Sequence, residues 1–92
     1  MYKFILPEHI VFEIQPKGIK IFNLISMQYE FIGFPQAALW DMLSRQFEWN
    51  EIVSIYKVLL PENQDSTFDE INLFVEMCLK KGLLIKVPQN NG

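Results

Sequence analysis

Residues 10–31 read Ile-Val-Phe-Glu-Ile-Gln-Pro-Lys-Gly-Ile-Lys-Ile-Phe-Asn-Leu-Ile-Ser-Met-Gln-Tyr-Glu-Phe, and this stretch decides the fold class. Ile10–Ile14 is a β-branched and aromatic run closed by Gln15-Pro16-Lys17-Gly18, where Pro and Gly together signal a turn. Ile19–Leu24 alternates well enough for a second strand. Ile25–Phe31 then alternates strictly, with Ile25, Met27, Tyr29 and Phe31 on one face and Ser26, Gln28 and Glu30 on the other. That is the pattern of a half-buried antiparallel strand. Neither Asn-Gly nor Asp-Gly marks the join between the second and third strands, which is placed near Asn23–Ser26.

Beyond Gly33-Phe34-Pro35 the period changes to that of helices. Pro35 suits a first helical turn, and Ala37, Trp40 and Leu43 or Ser44 follow at helical spacing, so helix one is expected over Pro35–Gln46. Helix two is expected over Trp49–Leu60, with Ile52, Ile55, Tyr56 and Leu59 as its stripe; of Glu48 and Asn50, Asn50 is the better cap by residue type. Pro61–Ser66 is a polar loop. Thr67-Phe68-Asp69-Glu70 fits a capping box that opens helix three. Lys80 and Lys81 complement the negative end of its dipole, and Gly82 stops it. Leu83–Val87 is a short closing strand or packed chain, and residues 88–92 are expected to form a mobile polar tail. The class is α+β: a three-stranded antiparallel sheet followed by three helices in one domain, residues 1–87.

Ninety-two residues suffice for one compact domain. Half the residues are hydrophobic, enough for one core with little apolar material to spare for a deep cavity. The net charge is −3 and the eight Lys/Arg are scattered, only Lys80 and Lys81 being adjacent. Phosphate-backbone binding needs clustered cations, so nucleic acid is not an expected partner. Cys78 is the only cysteine, which rules out an internal disulfide and fits a reducing compartment. The run Phe4-Ile5-Leu6, broken by Pro7, is shorter than the roughly 7–15 apolar residues of a signal peptide. No stretch approaches the ~20 apolar residues of a membrane span. The expected location is the cytoplasm, with no membrane partner.

Chemistry-bearing groups are sparse. His9 is the only histidine, and Cys78 falls on the core stripe of a helix far from it in sequence, so neither a metal site nor a Cys–His nucleophile is expected. Asp65, Asp69 and Glu70 surround a helix start, where the dipole accounts for them. Trp40 lies on an amphipathic face as core, and Trp49 is either a helix-start anchor, the favoured reading, or a partly exposed contact with a partner protein. The four glycines are isolated, so no phosphate-cradling loop exists. No catalytic role and no cofactor are expected.

Helix three carries more hydrophobes than one buried stripe requires. With Ile71 as origin and ~100° per residue, Val75, Cys78 and Leu79 share its side, and Phe74 sits at the margin. Leu73 and Met77 form a second ridge, bordered by Glu76 and Lys80. Either they pack beneath the sheet or the N-terminal segment, or they line a groove. A third strand beside that groove would leave its outer N–H and C=O groups unpaired, and proteins rarely leave such an edge without a partner. An extended peptide could add to it and set alternate side chains on Leu73 and Met77.

Lys20-Ile21-Phe22-Asn23, Tyr29-Glu30-Phe31, Ala37-Ala38-Leu39-Trp40-Asp41-Met42-Leu43, Glu51-Ile52-Val53 and the closing helix from Asp69 to Gly82-Leu83-Leu84 together resemble the PqqD family, the recognition elements for precursors of ribosomally synthesised, post-translationally modified peptides (RiPPs). The resemblance spans roughly Val11–Leu84 and rests on apolar spacings. This chain departs from the family pattern in lacking a Gly-containing turn at Asn23–Ile25 and in opening the first helix with Phe34-Pro35-Gln36. The resemblance implies a winged helix-turn-helix-like fold. It also implies a non-enzymatic role in which a precursor's leader peptide joins strand three against helix three and is presented to a maturation enzyme, either a radical S-adenosylmethionine maturase or a leader peptidase. The expected peptide-binding residues are Met27, Gln28, Tyr29, Glu30 and Phe31 on the strand, with Glu70, Leu73, Phe74, Met77 and Lys80 on the helix. The alternative is a winged-helix DNA-binding or regulatory protein. An open third strand also allows a dimer through that edge.

Overall fold

The structure is a computed structural model and describes residues 2–60 and 66–88. The elements run β1 (Tyr2–Ile5), β2 (Ile10–Gln15), β3 (Gly18–Asn23), β4 (Gln28–Gly33), α1 (Gln36–Ser44), α2 (Trp49–Leu59), α3 (Thr67–Lys80) and β5 (Ile85–Pro88). The fold is α+β. An antiparallel sheet in the order β2-β3-β4 precedes three helices, and β1 and β5 form a separate antiparallel pair. The third strand of the sequence reading is β4.

Two hairpins build the main sheet. Gln15 pairs with Gly18 across Pro16-Lys17, and Asn23 pairs with Gln28 across a four-residue turn. Gly18 is required by space, because a Cβ there would lie 2.2 Å from the Ile32 carbonyl oxygen.

The inner face of the sheet carries Ile10, Ile19 and Ile21, buried against Leu39, Trp40 and Leu43 of α1, Ile52 and Tyr56 of α2, and Ile71 and Cys78 of α3. Fully burying each aliphatic side chain contributes about 1.5–3 kcal/mol. Trp40 meets Phe12 edge-to-face at 5.9 Å, which joins α1 to β2. Trp49 is half-buried, with its ring edge-to-face to Phe68 at 5.8 Å, so it ties the start of α2 to the start of α3 as an anchor.

Several boundaries differ from expectation. Glu48, not Asn50, stands at the start of α2, and its N–H donates to Glu51 Oε1 at 3.3 Å. The β-region backbone at Glu48 sets up that reciprocal cap, whereas Asn50 is already helical. Ser66 occupies the cap position of α3 and Thr67 is its first helical residue, fully buried. The α2 stripe is narrower than expected: Ile52 and Tyr56 are buried while Ile55 and Leu59 are exposed.

The end of α3 is as expected. Gly82 takes φ +73°, the Leu83 N–H donates to the Cys78 carbonyl at 2.9 Å and the Gly82 N–H to the Leu79 carbonyl at 3.2 Å. This Schellman arrangement turns the chain so that Leu83 and Leu84 enter the core. The closing segment is a strand, Ile85–Pro88, paired with the unforeseen β1. Pro88, assigned to the tail, pairs with Tyr2. Residues 89–92 of the expected tail and 61–65 of the expected loop lie outside the described residues. No described helix is long and apolar enough to cross a membrane.

Candidate functional site: an open strand edge beside the end of helix three

Asn23 builds the turn that presents β4. Its Oδ1 accepts from the N–H of Ile25 at 2.9 Å and of Ser26 at 3.1 Å, and its carbonyl accepts from the Met27 N–H at 2.8 Å. Met27 sits at φ +60° at the end of this turn. The expectation that Met27 belongs to the strand is therefore corrected: the side-chain bonds of Asn23 hold residues 24–27 as a turn, and β4 starts at Gln28.

The faces of β4 are also the reverse of the hydropathic expectation. Tyr29 is 62% exposed and Phe31 51%, both on the outer face, while Glu30 and Ile32 are half-buried on the inner one. The register explains this. Ile21 points into the core, and its partner across the ladder is Glu30, so Tyr29 and Phe31 must share the outer face with Phe22 and Lys20. There Lys20 Nζ lies 4.2 Å from the Tyr29 ring centroid and 5.3 Å from that of Phe22. The Phe31 ring covers Gly18, its Cζ lying 2.9 Å from where a Gly18 Cβ would stand.

The hydrogen-bond phase of the sheet identifies which main-chain groups are free. The Phe34 N–H donates to the Lys17 carbonyl and the Leu24 N–H to the His9 carbonyl. In an antiparallel ladder, pairs that exchange hydrogen bonds alternate with pairs that do not. Counting inward from both ends, Ile19–Ile32, Ile21–Glu30 and Asn23–Gln28 are the bonded pairs between β3 and β4. The N–H and C=O groups of Tyr29, Phe31 and Gly33 therefore point away from β3. Among the described residues no strand pairs with that edge.

Beside this strand lies a cleft of about 340 Å³ lined by Ile21, Asn23, Ser26, Gln28, Tyr29, Glu30, Lys81 and Leu83. The Lys81 ammonium bonds the Glu30 carboxylate and bridges β4 to the end of α3. Both partners are partly exposed, so the pair is a weak, openable contact. Cys78 lies beneath it, and burial first, then the Glu30 charge, push its thiol up to about 12 against the opposing effect of Lys81. Such a thiol is inert at neutral pH. Among the described residues no three His, Cys, Asp or Glu side chains are grouped so as to hold a metal ion.

The expected residues divide accordingly. Gln28, Tyr29 and Glu30 line the cleft, and Phe31 supplies outward main-chain groups beside it. On α3, Leu73 is 66% exposed and Lys80 is exposed, while Met77 is half-buried against the core. Leu73, Met77 and Lys81 follow at four-residue spacing, so the exposed ridge of α3 leads to the Lys81–Glu30 bridge. Phe74 is corrected: it is only 6% exposed and packs in the core, because it is three residues from Ile71 and four from Cys78 on the buried side. Glu70 lies beside the Tyr56 hydroxyl, away from the cleft lining.

Asn23, Ser26, Lys81 and Leu83 line the cleft without having been singled out for it. Asn before a short turn was a readable signal for the first two. Lys81 was read as a dipole partner, and nothing local announces its reach to Glu30.

No protein-family model matches this chain, and comparison with curated proteins and with solved structures finds no match.

Proposed function

We propose that this protein binds the leader peptide of a ribosomally synthesised precursor as an added strand on β4, alongside α3, and presents it to a maturation enzyme without itself catalysing a reaction. The observation that carries this reading is the unpaired β4 edge with a cleft and the exposed Leu73 ridge next to it. The outward N–H and C=O groups of Tyr29 and Phe31 offer four main-chain hydrogen bonds to an antiparallel peptide, each worth about 0.5–1.5 kcal/mol net. Alternate peptide side chains would then fall on two surfaces. One set meets Gln28, Glu30 and Leu83 in the cleft; the other meets Tyr29 and Phe31 on the outer face. After the cost of ordering the peptide, affinity around 1 µM is expected. The cytoplasm, where precursor and maturase would be made, is the location this role requires.

The test is an NMR titration of the labelled protein with the leader region of a precursor encoded beside it. Shifts concentrated in Gln28–Phe31 and Leu73–Leu83 support the reading. No shifts at large peptide excess, or shifts confined to α1 and α2, refute it. Leu73→Asp, at an exposed position, is expected to weaken binding at least tenfold with the fold retained. Met77 is a poorer probe, because it also packs against the core.

A further inference from the structure

The free edge of β4 is complementary to itself in one register, and we propose that it pairs with a second copy of this chain in a reversible two-fold dimer that closes the edge. Two β4 strands meeting antiparallel must match outward-facing residues with outward-facing residues, which for this strand means Tyr29, Phe31 and Gly33. Three arrangements use more than one bonded pair, and the one centred on Ile32 makes only two, Phe31 with Gly33 in both directions, while it sets Tyr29 opposite Pro35 beyond the strand.

Centring on Glu30 sets Tyr29 against Phe31 of the second copy, but it brings the two Glu30 carboxylates to a closely spaced pair. Like charges directly opposite destabilise a sheet. Centring on Phe31 removes that conflict. Phe31 then opposes its own copy, Tyr29 opposes Gly33 in both directions, and Glu30 stands opposite Ile32, leaving each Glu30–Lys81 bridge undisturbed.

This register makes three bonded pairs instead of two. It lays each exposed Tyr29 ring over a glycine that has no side chain to pack, a pairing that compensates for edge glycines. The exposed rings of Tyr29 and Phe31 from both copies become one continuous outer surface with Phe22. Five short cross-strand pairs bury less than the about 1,200 Å² of a stable interface, so the dimer is concentration-dependent. The proposal rests on the edge geometry alone. If the leader reading also holds, the second copy and the leader exclude one another at the same strand.

The experiment is oxidative cross-linking of variants that each carry one added cysteine, with sedimentation of the unmodified chain across about 10 µM to 1 mM, the range in which weak interfaces dissociate. Native Cys78 is buried, so the unmodified chain is the cross-linking control. In the proposed register two residues at position 31 sit about 5.5 Å apart between Cα atoms, within disulfide reach. Two residues at position 30 are about 8 Å apart, beyond it. Phe31→Cys should form a covalent dimer rapidly, Glu30→Cys should not, and the unmodified chain should shift from monomer towards dimer as concentration rises. A monomer at 1 mM with no Phe31→Cys cross-link overturns the dimer, and preferential Glu30→Cys cross-linking overturns the register. No peptide is present in these measurements, so their failure leaves the leader reading to its own titration.

Discussion

Proline placed at two adjacent positions of β4 separates the edge from the ladder. At Glu30 the N–H faces the Ile21 carbonyl, so Glu30→Pro removes a ladder bond and leaves that acceptor unpaired at a residue that is 1% exposed. An orphaned buried acceptor costs about 1–3 kcal/mol, and the ring adds steric conflict within a paired strand. Loss of the Glu30–Lys81 bridge adds no more than about 1 kcal/mol, because both groups are partly exposed. The sum is about 2–4 kcal/mol. For a chain of this size each kcal/mol moves Tm by about 4–8 °C, so a fall of about 10–30 °C is expected. At Phe31 the N–H points away from β3 and meets no main-chain partner among the described residues. Phe31→Pro is therefore expected to cost about 1 kcal/mol or less, as prolines on solvent-facing edge positions do. Glu30→Thr and Phe31→Thr keep the N–H and control for the lost side chains. The assay is thermal unfolding followed by circular dichroism. If Phe31→Pro falls as far as Glu30→Pro, the hydrogen-bond phase is inverted, and Tyr29 and Phe31 do not supply the free edge.

Three further outcomes follow from the packing. Gly18→Ala is expected to destabilise by about 1–3 kcal/mol in urea unfolding, because its Cβ would meet the Ile32 carbonyl oxygen at 2.2 Å. Tyr56→Phe is expected to be neutral or stabilising by up to about 2 kcal/mol, since among the described residues the buried hydroxyl has no hydrogen bond of ordinary geometry despite the nearby Glu70; a clear loss of stability would mean that Glu70 accepts from it. Burial, then the Glu70 charge, push the Tyr56 hydroxyl up to about 12 from 10, and burial raises the Cys78 thiol to about 12 from 9. Both groups are held neutral more strongly in the folded chain. Their contribution is complete below about pH 9 and is lost as pH rises from 9 towards 12, so Tm should fall through that window and flatten in Cys78→Ala/Tyr56→Phe.

The elements that sequence reading recovered are those whose signals are local. Pro16 and Gly18 mark the first hairpin, Ala37, Trp40 and Leu43 mark the buried side of α1, and Gly82 marks the end of α3; each is found in place. The closing strand is one of two readings of Leu83–Val87, but β1 and its pairing with β5 give no signal, for the opposite reason. Tyr2–Ile5 and Ile85–Pro88 are four residues each, too short for alternation to register, and they meet across nearly the whole chain. The third strand was found, but its faces were inverted. Alternation shows that two faces exist; it does not say which one the neighbouring strand turns inward. On α3 the same limit split the candidates, since Leu73 stands exposed while Phe74, one residue on, closes the core.

The inversion of β4 is the observation that most favours the proposed interaction surface. A strand selected only to complete this core would turn Tyr29 and Phe31 inward and leave Gln28 and Glu30 outside, which burial of apolar area favours. Here the aromatic pair faces outward on a two-neighbour sheet face with Phe22, and the inner side of the strand holds Glu30, which Lys81 neutralises. Of the inner residues of β4 only Ile32 packs against the core, where β3 supplies Ile19 and Ile21. The outer face and the Gln28–Glu30 part of the inner one are thus open to contacts from outside. An added strand would meet an aromatic outer face, a polar cleft and a row of unpaired main-chain groups that share the same two residues, Tyr29 and Phe31. Exchanging the pattern by Tyr29→Gln and Phe31→Thr should therefore leave the core intact and remove strand addition of either kind, peptide or second copy. A double variant that unfolds would place these rings in the core after all and end the argument for an interaction surface.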